Sequence, residues 1–424
     1  MNIKRFLFAL VLVLSLFNCY SQETAVTNKL AAKFVSYYNA DQADSLYMLF
    51  SDGVKNGLPS NNVITIVSQL KGQLGKLIGS EFNSTDKGIN TYICTFEKSG
   101  PVLYLHFDTN RKIAGFYVNA DKRVLVPVKE GENPVSIKTS SAVLKGTLSV
   151  PKTAGKMPVV LLIAGSGPTD RNGNSLMIKG KPNYFLKISD ELRAKNVAVL
   201  RYDKRGIGQS TTTKTEAEST FDDMVDDAAA LIRFLKSDGR FSKVIVAGHS
   251  EGSLVGMIAS QREKAGGFIS LAGAGFPVKK IMESQFKEAL SPDDYKTAMA
   301  VLDTIKAGKE VKQQLKNGLE IHFRSSIRPY LTSWMKYDPQ IELSRLKTPV
   351  LIVQGTHDIQ VSVENARQLK KAKPEVKLVL IDGMSHILKE APADRQQNIA
   401  TYSKDDLDLH PKLVHELMQF INEI

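Results

Sequence analysis

The sequence predicts an α/β protein: a doubly wound, mostly parallel sheet with a helical cap, preceded by a small α+β cone-shaped domain. Three observations carry this expectation. Apolar strands and amphipathic helices alternate from Val159 onward, as Val159–Ala164, Tyr184–Lys195, Ala198–Tyr202 and Phe221–Lys236, which is the pattern of parallel strands joined by helical crossovers. The run Val244–Ala247 meets Gly248-His249-Ser250-Glu251-Gly252, and an amphipathic segment from Ser253 to Glu263 follows, a strand–turn–helix centred on one serine. Finally, roughly seventy residues separate the strand Phe268–Ala272 from the strand Val350–Gln354, too many for a loop, and their periodicity is helical. The segment from Phe276 to Arg345 therefore reads as a cap. Lys377–Ile381 gives a last strand and Asp406–Ile421 a closing helix.

The chain of 424 residues is 24% charged and 42% apolar, an ordinary globular composition with room for two domains. The formal net charge is +12, yet no dense Lys/Arg run occurs, and basic residues are interspersed with acidic ones, as over 306–316. That describes a solvated surface, so no nucleic-acid partner is expected.

Met1–Ser21 reads as a secretory leader, with Lys4 and Arg5 before the short apolar run Phe6–Phe17 and a cleavage site before Gln22. Lipid anchoring at Cys19 is the competing reading, but bulky Phe17 and polar Asn18 argue against it. Export to the periplasm or beyond is expected, with no stable membrane insertion. Cleavage would leave Cys94 alone, within the alternating stretch Tyr92–Phe96, as a core thiol with no disulfide partner.

Residues 24–120 predict two helices followed by three strands. Leu30, Phe34, Val35, Tyr38, Leu46, Met48 and Phe50 supply helix faces, and Val63, Ile66, Val67, Leu70, Leu74 and Leu77 recur at helical spacing. Thr91–Glu97, Val102–Asp108 and Ile113–Asn119 alternate as strands. A polar linker is expected over 121–134, and the α/β domain over 135–424 begins with the short strands Val135–Lys138 and Leu144–Val150.

The serine in this setting is a candidate nucleophile. A strand-to-helix turn so tight holds Ser250 in a strained conformation at the sheet's carboxyl edge, with the Glu251 N–H aimed where an oxyanion would form. Such a serine needs a base, and the base an orienting acid. Gly355-Thr-His-Asp358 follows one late strand and Asp382-Gly-Met-Ser-His386 follows the next, which brings Asp358 and His386 to the edge that carries Ser250. His249 is expected to point away from the elbow, His357 to be a turn residue, and Asp382 to bond the histidine turn. The loop Gly165-Ser166-Gly167-Pro168 after Val159–Ala164 is expected to give a second oxyanion donor, Ser166 N–H first and Gly167 N–H next. Thr169–Asn174 lacks the sixth-place glycine and closing glutamate of a calcium loop, so no metal is expected. Cap aromatics, Trp334 and Tyr337 among them, are candidates to line the substrate pocket, with the cap's own core as the competing use.

Ala164-Gly-Ser-Gly-Pro-Thr-Asp-Arg-Asn-Gly-Asn174, Tyr202-Asp-Lys-Arg-Gly-Ile-Gly-Gln-Ser210, Gly248–Gly252, Tyr337-Asp-Pro339 and Gly355–Asp358 together resemble the α/β-hydrolase superfamily. Within it, the chain is most similar to bacterial carboxylesterases labelled serine aminopeptidase S33-like, over Val135–Ile424. The resemblance implies hydrolysis of short or medium acyl esters of small molecules, no cofactor, and a pocket roofed by the cap. Gly88-Ile-Asn-Thr-Tyr92 and Lys112-Ile-Ala-Gly-Phe-Tyr117 resemble the nuclear-transport-factor-2-like domains attached to bacterial hydrolases, which implies support or docking of an unnamed partner. Two other readings stand beside the esterase. A peptidase removing N-terminal residues would need carboxylates to grip the amine, and the cap offers Glu283, Glu288, Asp293 and Asp294. A catalytically idle binding protein would leave the serine, aspartate and histidine without a purpose.

Overall fold

The computed structural model describes residues 25–98, 100–121, 129–175 and 180–424. The expected leader, with Cys19, lies outside the described residues, as does half of the expected linker, residues 122–128. The chain divides into two compact units, Met1–Val124 and Leu125–Ile424.

The first unit carries helices α1 (residues 25–39), α2 (Ala43–Leu49), α3 (Asp52–Gly57) and α4 (Ser60–Leu74) against an antiparallel sheet in the order β1 (Leu77–Asp86), β2 (Ile89–Phe96), β3 (Pro101–Phe107), β4 (Ile113–Ala120). Sequence periodicity predicts one helix running to Leu77. Instead, α4 stops where Gly75 takes φ 82°, and Leu77 opens a strand. The fourth strand, β1, carries little apolar signal because most of it is exposed. It is tied to β2 by a two-residue turn, Lys87 and Gly88, both at positive φ. Cys94 is fully buried among Tyr38, Leu46 and Phe107, and burial pushes its thiol up to about 12.

The second unit is built on one sheet. Its strands are β5 (Glu132–Lys138), β6 (Ala142–Ser149), β7 (Met157–Ile163), β8 (Ala198–Tyr202), the short β9 (Thr211–Thr212), β10 (Phe241–His249), β11 (Gly267–Leu271), β12 (Val350–Gly355) and β13 (Lys377–Ile381). Their order is β13-β12-β11-β10-β7-β8-β6-β5, with β9 paired to β6. From β8 through β13 neighbouring strands run parallel, while β5 and β6 are antiparallel. Side chains alternate between faces. Val159, Leu161 and Ile163 join a core with α6 (Phe221–Ser237) and α7 (Glu251–Glu263). Val160, Leu162 and Ala164 join the opposite core with α5 (Tyr184–Ala194) and the closing helix Pro411–Glu423.

The cap segment folds as α8 (Val278–Ala289), α9 (Pro292–Lys306), α10 (Leu319–His322), α11 (Arg328–Trp334) and α12 (Pro339–Arg345). Phe286, Val301, Leu302, Ile305, Phe323 and Leu331 form its own core. Helices α13 (Val363–Ala372), α14 (Arg395–Thr401) and α15 (Pro411–Glu423) complete the unit. The last begins at Pro411 rather than Asp406, because the His410 ring accepts from the Lys412 N–H and caps it.

Candidate active site

Strand β10 ends at His249 and α7 begins at Glu251, so Ser250 alone turns the chain, with φ 56° and ψ −123°. That region is costly for a residue with a side chain, about 1–3 kcal/mol, and persists only where the surroundings enforce it. They do so by contact. A methyl on Gly248 would lie 2.2 Å from the Gly252 carbonyl oxygen, and one on Gly252 would lie 2.4 Å from that of Ile163. The Ser250 N–H donates to Leu271 O across the sheet at 2.9 Å. Helix α7, predicted to be amphipathic from Ser253, is instead buried from Glu251 through Ser260, since it packs between the sheet and helices α6 and α12.

Asp358 and His386 sit on the turns after β12 and β13, joined by a 2.8 Å bond between His386 Nδ1 and Asp358 Oδ2. Gln354 Nε2 donates to the same oxygen at 2.9 Å, and the N–H groups of Gln360 and Val361 donate to Oδ1 at 2.8 Å each. Burial would raise the Asp358 carboxyl, but the imidazole beside it and these donors outweigh burial and hold it below the ordinary carboxylate range. Asp382 bonds the other turn: it accepts from Thr356 Oγ1 at 2.9 Å, while the Gly383 N–H donates to Thr356 Oγ1. His357 is a turn residue whose Nδ1 pairs with Ala391 O.

Ser250 and His386 open into one cavity of about 190 Å³, which Ser166 and Gly167 also line. Neither of those loop N–H groups makes a hydrogen bond among the described residues, and the Glu251 N–H, first in its helix, has no intrahelical partner. Three free amides thus flank the serine. The loop of Ser166 and Gly167 comes this close because residue 165 is glycine: a Cβ there would lie 2.9 Å from Ser250 Cβ. Among the described residues no group of three or more His, Cys, Asp or Glu side chains is placed to hold a metal, and the Asp170 carboxylate takes the N–H groups of Asn172 and Asn174.

Residues 182–392 match the model of the family described as serine aminopeptidase, S33, and residues 31–116 match a family described as a protein of unknown function, DUF3887. The chain is 25% identical over 408 residues to Esterase EstD of Thermotoga maritima, covering 90% of each chain. The second unit has the α/β-hydrolase fold. Among solved structures, Est1E from Butyrivibrio proteoclasticus is 18% identical with a TM-score of 0.44, covering 69% of this chain and 99% of its own. The α/β-hydrolase GrgF from Penicillium is 15% identical with a TM-score of 0.47, covering 69% and 98%.

In this hydrolase two predicted pocket residues lie elsewhere. Trp334 stacks flat on Phe221, 5.7 Å between ring centres, and Tyr337 packs on the same ring while its hydroxyl donates to Asp222. Both dock the cap onto α6, and neither lines the cavity at Ser250. Its walls also include Thr169, Ser175, Tyr184, Gln360, Ile387 and Tyr402, from the loop after β7, α5 and the segments after the Asp358 and His386 turns. His249 also lines it and does not point away: Nε2–H donates to the His386 carbonyl at 2.8 Å, and the two rings lie 4.7 Å apart. Gln354 was detectable as the single polar side chain in the otherwise apolar strand β12. Nothing local distinguishes His249 from an outward-facing elbow residue.

Replacing Trp334 by alanine is therefore expected to loosen the cap rather than change acyl-length selectivity. The ring is half-buried, so the loss is about 2 kcal/mol, less than the roughly 3–5 of a fully buried aromatic. Thermal unfolding, proteolysis within the cap and an acyl-length series measure both outcomes. His249 gives a pH dependence. Burial, reinforced by the neighbouring His386, lowers its pKa to about 3, against about 6.5 in an unfolded chain. Its stabilising effect is complete above about pH 6.5 and declines as pH falls toward 3, by up to about 1.4 kcal/mol per unit, because only the unfolded chain takes the proton there. Melting curves from pH 7 to 4 are expected to be flatter for His249→Gln than for the native chain.

Proposed function

We propose that this α/β-hydrolase is a serine esterase that cleaves short- to medium-chain carboxylic esters through an acyl-enzyme, with Ser250, His386 and Asp358 as its triad. The chain is a hydrolase of carboxylesterase type, like the Thermotoga esterase whose length it shares. The observation that carries the finer reading is the strained Ser250 facing the same cavity as an imidazole whose far nitrogen is fixed by a buried carboxylate. With Nδ1–H held by Asp358, Nε2 of His386 is the acceptor that takes the Ser250 proton as Oγ attacks the ester carbonyl. The Ser166 and Glu251 amides receive the developing oxyanion, with Gly167 beside them. His386 then protonates the departing alcohol, and a water repeats the sequence to free the acid.

The aminopeptidase alternative lacks its anchor at this cavity. Among the described residues no carboxylate lines it, and hydroxyl and amide side chains offer a free α-amine no counter-charge. Two of the four cap acids weighed for that purpose are engaged elsewhere: Asp294 accepts from Asn317 and Ser291, and Glu283 accepts from the Tyr295 hydroxyl. The leader supports export as a further proposal, checked by sequencing the N-terminus of the protein recovered from the periplasm or medium, expected at Gln22.

A fluorophosphonate probe is expected to label the enzyme and to leave Ser250→Ala unlabelled with its fold intact; labelling that survives the substitution refutes the nucleophile. On nitrophenyl esters of graded acyl length beside aminoacyl amides, esters of short to medium chain are expected to be turned over fastest. His386→Ala should cost nearly as much as Ser250→Ala, and Asp358→Ala less, by the precedent of subtilisin. Preference for aminoacyl amides over every ester would favour the peptidase.

A further inference from the structure

The loop that offers the Ser166 amide is exposed at both Ser166 and Gly167, so packing alone does not fix its peptide planes. A buried polar chain reaches it from beneath. Lys204 Nζ donates to the Gly165 carbonyl at 2.9 Å and lies 3.4 Å from Glu251 Oε1. The same Glu251 oxygen accepts from the Tyr330 hydroxyl of the cap helix α11 at 2.9 Å. Lys204 and Glu251 are 9% and 6% exposed. Lys204 stands between two residues that serve other loops: Asp203 accepts from Arg171 and Gln209, and Arg205 forks onto Asp227. Of the three, it alone turns toward the elbow.

The geometry has a consequence for the amide that follows. A peptide unit is planar, and in the trans form its carbonyl and N–H point in opposite directions. No peptide bond among the described residues is cis. Holding the Gly165 carbonyl from the Lys204 side therefore fixes the Ser166 N–H on the opposite, cavity side of the loop. Glu251 contributes twice, its N–H as one oxyanion donor and its carboxylate as the support of the lysine that orients the other. We propose that Lys204 is a positioning residue of the oxyanion hole, and that Tyr330 links the cap to it through Glu251. This rests on the esterase reading of Ser250.

The test uses the full mature enzyme with Lys204→Met, Lys204→Arg and Tyr330→Phe, measured beside Ser250→Ala. A nitrophenyl ester gives kcat and KM. An alkyl boronic acid, whose adduct on Ser250 puts an oxygen in the hole, gives an inhibition constant, and thermal unfolding monitors the fold. Displacing a catalytic group by an ångström costs about 100-fold, so Lys204→Met should lower kcat by roughly 10- to 100-fold. KM should stay within about twofold, and boronate affinity should fall in parallel with kcat/KM, since both report the tetrahedral geometry. Lys204→Arg, which keeps a donor, should recover much of the rate, and Tyr330→Phe should show the same pattern at smaller size. A Lys204→Met enzyme with native kcat, or one losing activity through KM with boronate binding unchanged, overturns the proposal. If that variant does not fold, Tyr330→Phe decides: native kcat and native boronate affinity there overturn it. Hydrolysis that survives in Ser250→Ala refutes the underlying esterase reading instead.

Discussion

Three stretches of backbone meet at the elbow with no space for a methyl group between them. The Gly252 carbonyl lies where a side chain on Gly248 would begin, and the end of β7 lies where one on Gly252 would begin. This close approach lets the chain reverse from strand to helix over a single residue and holds Ser250 at an unfavourable φ. It also decides the layer structure. A helix that starts hard against the sheet must run within the protein, which is why α7 is enclosed nearly all round and rich in small residues. The strain is local, and the strand pairing of β10 with β7 and β11 supplies the rigidity that maintains it.

The aspartate and histidine depend on a different device. Their turns leave adjacent parallel strands, and each turn is bonded to the other: Thr356 to Asp382 and Gly383, and the His357 N–H to Met384 O. A buried carboxylate is costly unless its lone pairs are used, and Asp358 uses them on one imidazole, one amide side chain and two main-chain donors. Together these fix the carboxylate before the substrate arrives. His249 adds a further support, since its bond to the His386 carbonyl holds the main chain of that histidine. A neutral ring is required for that position beside His386, and burial keeps it neutral.

Much of this was legible in the sequence, for identifiable reasons. Strands buried on both faces read as continuous apolar runs, and the turns carrying Ser250 and Asp358 follow such runs directly, while the edge strand β13 before the His386 turn is half-buried yet keeps an apolar run, Leu378–Ile381. Edge strand β1 was not legible, because an exposed edge has little apolar pattern to show. The end of α4 was missed since Leu77 keeps the helical spacing past a glycine that breaks it. Trp334 and Tyr337 illustrate a deeper limit. An aromatic residue in a cap has the same local pattern whether it lines a pocket, fills the cap's core or docks the cap on its neighbour. Only the partner, Phe221, more than a hundred positions away in sequence, decides among these.

That reassignment changes how selectivity arises. A pocket walled by cap aromatics would sort acyl chains by apolar contact, at about 1–3 kcal/mol per methylene. The cavity at Ser250 is walled instead by residues from outside the cap, among them Ser166, Thr169, Tyr184, Gln360, Ile387 and Tyr402. A long alkyl chain laid along such a wall would strip water from hydroxyl and amide groups without replacing its hydrogen bonds, which offsets the gain from burying methylenes. Burial has raised the Tyr184 and Tyr402 hydroxyls well above their ordinary range, so both remain protonated and able to donate. A short acyl group escapes most of that cost. The cap reaches the elbow through the Tyr330 hydroxyl, which donates to Glu251.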